Sequence, residues 1–201
     1  EDAYPLAKAL LNGGIDVIEV TYRSEHATSA IQTISEQLPD MLVGAGTVLS
    51  VEQAKEAVEA GAKFIITPGF NTKVVQWCLD HDVEVYPGVS TASEVEMALS
   101  MGLTQLKFFP AESSGGAKKL KDLSAPYANV HFMPTGGINT KNMHDYLSLP
   151  NVEAIGGSFM LPNDLVVAKD WDGIEALSKA AIKSLLDFQL IQIGRASCRE
   201  R

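Results

Sequence analysis

The sequence predicts an α/β fold, a (β/α)8 TIM barrel, from three observations. Short apolar segments begin near residues 15, 42, 64, 83, 105, 130 and 152, so one strand-sized unit recurs at a nearly regular interval. Stretches with helical spacing of apolar side chains alternate with them, and short connections between alternating strands and helices call for parallel strands joined by right-handed crossovers. No G-x-G-x-x-G loop follows a first strand, and the repeat length suits closure into a barrel better than an open doubly wound sheet.

Taken in order, residues 2–12 place Leu6, Ala9 and Leu10 at helical spacing, and Gly13-Gly14 supplies the stop after the last turn. A strand follows over 15–21. Ser24 or Thr28 then opens a helix through about Leu38, ended by Pro39, and 41–47 is the next strand. Ser50 caps a helix to Glu59 that Gly61 ends, and 63–67 is a strand closed by Pro68-Gly69. Asn71 caps a helix to Asp80, and 83–86 is a strand closed by Pro87-Gly88. A helix over 93–101, with Gly102 behind it, leads into the strand around Lys107. After a glycine-rich turn at 113–116 and a short basic helix, the strand at 130–133 is closed by Pro134-Thr135-Gly136-Gly137. Asn139 caps a helix to Leu149, the last strand covers 152–155 before Gly156-Gly157-Ser158, and a final helix runs from Trp171 to about Leu186. The helix at 2–12 precedes the first visible strand, so the expected architecture is an eight-stranded barrel lacking its first strand in this fragment. Residues 1–191 read as a single domain. The tail at 192–201 resembles the read-through of a sequencing adapter and is expected to be non-native.

A net charge of −9 and a pI near 4.9 argue against nucleic acid and anionic membrane surfaces as partners, and no apolar run is long enough to cross a bilayer. Cys78 and Cys198 lack metal-type spacing, and His26, His81, His131 and His144 are scattered. The expectation is a cytoplasmic protein with a small-molecule partner and neither metal nor cofactor.

The chemistry centres on Leu106-Lys107-Phe108-Phe109-Pro110, an apolar run with one ammonium in its middle. A lysine removed from water must be paired or give up its proton, and a neutral lysine amine is a nucleophile. The other outcome of the same pattern is a buried ion pair. In a barrel, active groups gather where the strands end at their C-terminal side. Strand ends here carry Glu19 and Arg23, Gly46-Thr47, Thr67-Pro68-Gly69, Pro87-Gly88, Lys107, Thr135-Gly136-Gly137 and Gly157-Ser158. Glu19 is a lone carboxylate on an otherwise apolar strand face, suited to carrying protons or to pairing with Lys107. Arg23 can grip a carboxylate with two parallel hydrogen bonds, and Thr47 adds a hydroxyl where backbone can approach a ligand. The glycine pairs after the last two strands stand where barrels bind phosphate through free amides.

These residues carry a resemblance. Glu19-Val20-Thr21-Tyr22-Arg23, Val43-Gly44-Ala45-Gly46-Thr47-Val48-Leu49, Lys107-Phe108-Phe109-Pro110-Ala111-Glu112 and Pro134-Thr135-Gly136-Gly137-Ile138 resemble the 2-dehydro-3-deoxy-phosphogluconate (KDPG) and 4-hydroxy-2-oxoglutarate (KHG) aldolase family. The resemblance implies a homotrimeric, metal-free class I aldolase that cleaves KDPG, a 2-keto-3-deoxy sugar acid phosphate, to pyruvate and glyceraldehyde 3-phosphate in the Entner-Doudoroff pathway. It implies that Lys107 forms the Schiff base and that Glu19 is the general acid/base. By the same resemblance Arg23 and Thr47 hold the pyruvate carboxylate, Pro68 and Phe109 line the pocket, and Thr135, Gly136, Gly137, Gly157 and Ser158 form the distal, phosphate-binding end. An aldolase acting on KDPGal or 4-hydroxy-2-oxoglutarate would share Lys107 and Glu19. A noncatalytic phosphate-binding barrel, with Lys107 a structural ion-pair residue, is the remaining alternative.

Overall fold

A computed structural model describes residues 2–199, with side chains described through Leu186, so the expectation for the tail at 192–201 lies outside the described side chains. The strands are β1 (Val17–Thr21), β2 (Leu42–Gly46), β3 (Phe64–Ile66), β4 (Glu84–Tyr86), β5 (Gly88–Val89), β6 (Gln105–Phe108) and β7 (His131–Pro134). The helices are α1 (Ala3–Asn12), α2 (Ala27–Gln37), α3 (Val51–Glu59), α4 (Thr72–Asp80), α5 (Ala92–Ser100), α6 (Gly116–Ser124), α7 (Met143–Leu147), α8 (Asn163–Ala168) and α9 (Trp171–Arg199). Among the described residues no helix is long and apolar enough to cross a membrane.

The strands run parallel in chain order, as β1-β2-β3-β4 and β5-β6-β7, giving a TIM-barrel-like α/β fold. The two sheets are halves of one wall. Pro87, with no N–H to donate, closes the strand expected over 83–86, and pairing resumes beyond it in β5, which the sequence does not predict. The Pro87 carbonyl still accepts the Lys107 N–H at 3.0 Å, so pairing carries across the break. The last strand, expected over 152–155, is reduced to two parallel bridges, Phe132 with Val152 and Thr135 with Gly156.

Alternation along the strands separates two faces. Val43, Ala45, Ile65 and Val85 face the helices and bury against Ile31, Ile34, Ala54, Val74 and Cys78. Leu106, Phe108 and Phe132 do the same against Val95, Leu120, Met143 and Tyr146. The opposite face carries Glu19, Gly44, Gly46 and Phe64: a Cβ on Gly44 would meet the Phe64 ring, and one on Gly46 would meet the Glu19 carboxylate. That inner face holds the polar groups.

Side-chain caps fix the starts of α3, α4 and α5. Ser50 accepts from the Gln53 amide, and Asn71 accepts from those of Lys73 and Val74, as their sequence positions suggest. The helix expected from residue 93 begins earlier, because Thr91 and Glu94 form a reciprocal capping box. Asn139 turns the chain, accepting from Lys141 N, but α7 begins only at Met143. The short helix α8 has no counterpart in the sequence reading, and α9 continues past Leu186.

Candidate active site

Lys107 sits in the interior of β6, between Gly88 of β5 and Met133 of β7 in register, and is only 4% exposed. Its Nζ lies 3.4 Å from Glu19 Oε2 and 5.1 Å from the centroid of the Phe109 ring. Burial holds the Lys107 amine below the ordinary lysine range; the Glu19 carboxylate works against that shift and the Arg23 guanidinium adds to it. The neutral amine is therefore accessible at lower pH than for a free lysine. The lysine was visible in sequence because nothing else in its apolar run is charged.

Glu19 comes from β1, eighty-eight residues earlier in the chain, and its side chain keeps 27% of its surface exposed. It can reach Lys107 because Gly46 leaves the space: a Cβ there would lie 2.1 Å from Glu19 Oε1. Thr47 follows directly and is half-buried, while Arg23 stands exposed in the loop after β1. Just past β3, Thr67 is fully buried, donating its hydroxyl to the Gly69 carbonyl at 2.7 Å. The Pro68 carbonyl packs on Gly88, where an added Cβ would lie 2.3 Å from it, so Pro68 is held beside the register partner of Lys107.

The other side of the mouth is built from the loops after β6 and β7. Phe109 donates its amide to Val89 at 3.2 Å, Thr135 donates to Phe108 at 3.0 Å, and the Phe109 ring lies against Gly136. Gly136 and Gly137 have φ of +104° and +81°, a pair of conformations that L side chains rarely adopt. Gly156 donates to Pro134 at 2.9 Å and abuts Thr135, whose buried hydroxyl has no hydrogen-bond partner among the described residues. Gly157 and Ser158 continue this loop and are exposed. Amine and carboxylate are thus in contact, and the Phe109 ring stands between Lys107 and the Gly136 turn. One element escaped the sequence: Glu112 accepts a hydrogen bond from Tyr146 on α7, a residue with no local pattern to mark it.

Fold and site together define an α/β barrel whose buried amine faces a carboxylate on the inner face of the strands. The family model for KDPG and KHG aldolase matches residues 1–177. A 2-dehydro-3-deoxy-phosphogluconate aldolase of Treponema pallidum is 48% identical over 91% of this chain and 87% of its own. The KHG/KDPG aldolase of Escherichia coli K12 is 44% identical over 91% of this chain and 86% of its own. Among solved structures, a KDPG aldolase from Legionella pneumophila, with pyruvate captured as a covalent carbinolamine, superposes with a TM-score of 0.86. It is 42% identical, covering 89% of this chain and 87% of that one. The chain belongs to the KDPG and KHG aldolase family.

Proposed function

We propose that this protein is a class I aldolase that cleaves KDPG to pyruvate and glyceraldehyde 3-phosphate through a Schiff base on Lys107. The observation that carries the proposal is the 4%-exposed Lys107 amine set 3.4 Å from Glu19. The covalent pyruvate adduct of the Legionella pneumophila relative is the intermediate such an amine forms.

In this mechanism neutral Lys107 adds to the C2 ketone, and the carbinolamine loses water to give an iminium. Glu19 takes the proton of the C4 hydroxyl. The C3–C4 bond breaks, its electron pair flows into the iminium to leave an enamine, and the aldehyde departs. Protonation at C3 and addition of water then release pyruvate and restore the amine. Arg23 and Thr47 hold the substrate carboxylate, and Pro68 and Phe109 wall the pocket. Thr135, with its unpartnered hydroxyl, and the amides of Gly136, Gly137, Gly157 and Ser158 receive the phosphate. We assign the active unit to residues 1–191, acting as a cytoplasmic homotrimer. The double name of the Escherichia coli relative favours a second activity on 4-hydroxy-2-oxoglutarate.

The test is incubation with pyruvate and borohydride followed by peptide mass spectrometry. The expected result is one reduced adduct on Lys107, absent from Lys107→Ala, in a protein that also cleaves KDPG. No adduct in the folded protein, or an adduct on another lysine, overturns the mechanism.

A further inference from the structure

The segment after β6 is bound to the turn after β7 by backbone hydrogen bonds: Ala111 N donates to Thr135 O at 2.8 Å, and Glu112 N to Gly136 O at 3.1 Å. The side chain of Glu112 reinforces this seam. A Cβ on Gly137 would lie 2.7 Å from Glu112 Cγ and 2.9 Å from its Cβ, so the glutamate stem rests on the turn. Its carboxylate accepts the hydroxyl of Tyr146, which is 1% exposed within the second core cluster. A Cβ on Gly116, the first residue of α6, would lie 3.5 Å from Glu112 Oε1 and 3.7 Å from the Tyr146 hydroxyl. Turn, helix start and core tyrosine therefore meet on one carboxylate.

That arrangement does more than cover surface. A glutamate on a loop ordinarily samples many rotamers, and a buried hydroxyl donor selects one. Burial, with the Glu112 hydrogen bond added, pushes the Tyr146 phenol above its ordinary range, so it stays a donor at neutral pH. Fixed in this rotamer, the Glu112 stem backs the Gly137 Cα and the carboxylate is directed to the tyrosine.

We propose that Tyr146 and Glu112 are a positioning pair that holds the Gly136-Gly137 turn for the phosphate of the substrate, and so sets the preference for phosphorylated over unphosphorylated 4-hydroxy-2-keto acids. The inference rests on the aldolase reading above. Turn amides bind an anion only when aimed at it, and a displacement of about 1 Å can cost as much as 100-fold. Lys107 and Glu19 lie at the other end of the substrate, so release of the turn should be felt in binding of the phosphate and not in Schiff-base formation.

The test compares wild type, Tyr146→Phe, Glu112→Ala and Glu112→Gln in the full chain. It reads kcat and KM for KDPG and for 4-hydroxy-2-oxoglutarate, together with borohydride trapping of pyruvate. Tyr146→Phe and Glu112→Ala should raise KM for KDPG about 10-fold with kcat nearly unchanged. Their kinetics with 4-hydroxy-2-oxoglutarate and trapping on Lys107 should match wild type. Glu112→Gln should stay near wild type, because its amide oxygen accepts the same hydrogen bond. Should Tyr146→Phe fail to fold, Glu112→Ala decides. An unchanged KM for KDPG, or equal losses on both substrates, overturns the inference while leaving the aldolase in place. A wild-type protein that cleaves neither substrate and traps no pyruvate overturns the aldolase reading, and the inference with it.

Discussion

Lys107 is held in a place that costs the fold and serves the chemistry. Its depressed pKa means that between the folded value and the ordinary lysine value the unfolded chain binds more protons than the folded one. Stability therefore rises with pH across that window, and the penalty is full below it. Burial outweighs the stabilising charge of Glu19, whose own side chain stays partly exposed. Lys107→Met should abolish pyruvate trapping yet raise Tm by about 2–4 °C at neutral pH, since a buried charge gives way to an apolar side chain of similar volume. Thermal melts at several pH values check the sign: the gain over wild type should shrink as pH climbs toward the ordinary lysine pKa. A Tm that falls in Lys107→Met would mean that the ion pair with Glu19 stabilises the fold.

Among the elements, the strand ends matter most, and Gly46 is the clearest case. It closes β2, and an alanine there is permitted by the backbone, but its Cβ would overlap the Glu19 carboxylate at 2.1 Å. The clashing atom is the end of a flexible side chain, so Glu19 should swing away and the strand should stay. Gly46→Ala is expected to melt within about 2 °C of wild type while kcat falls about 100-fold or more, the usual contribution of a positioned acid/base group. Circular dichroism melts and steady-state kinetics on one preparation separate the two effects. Such elements were legible in sequence where their cause is local: the caps at Ser50 and Asn71 need only their own turn, and Lys107 announces itself as a charge in an apolar run. The interruption at Pro87 follows from a missing N–H, yet its consequence, two half-sheets with Lys107 beside the break, depends on the neighbouring strands. The Tyr146 to Glu112 contact joins positions thirty-four residues apart with no shared pattern, so only the folded chain brings it into view.

At the scale of the whole molecule, the first helix is bound to the last described one. Asn12 Nδ2 donates to Glu175 Oε2 of α9 at 3.1 Å, and Asp2 Oδ1 receives Nζ of Lys169, which caps α8, at 2.7 Å, but these exposed contacts contribute little. The seam depends on close packing. Gly13 caps α1 with φ of −77°, so the backbone there tolerates any side chain and the requirement for glycine is purely steric. An added Cβ would stand 2.2 Å from Cβ of the fully buried Ser178 and 3.0 Å from the Glu175 carbonyl. Neither obstacle can rotate aside, since one is fixed to the α9 backbone and the other is part of it, so α1 and α9 must part. Gly13→Ala should therefore destabilise the whole fold by about 1–3 kcal/mol, read as a lower urea midpoint with the m-value unchanged. Turnover per folded molecule should hold, because the seam touches neither Lys107 nor Glu19. Removing the opposing Cβ supplies the control: Ser178→Gly weakens α9 on its own by about 1 kcal/mol, yet the double variant should lose less than the two single losses together. Strict additivity would show that α1 and α9 do not press on each other at Gly13, and that the ends of the chain are joined by some other contact.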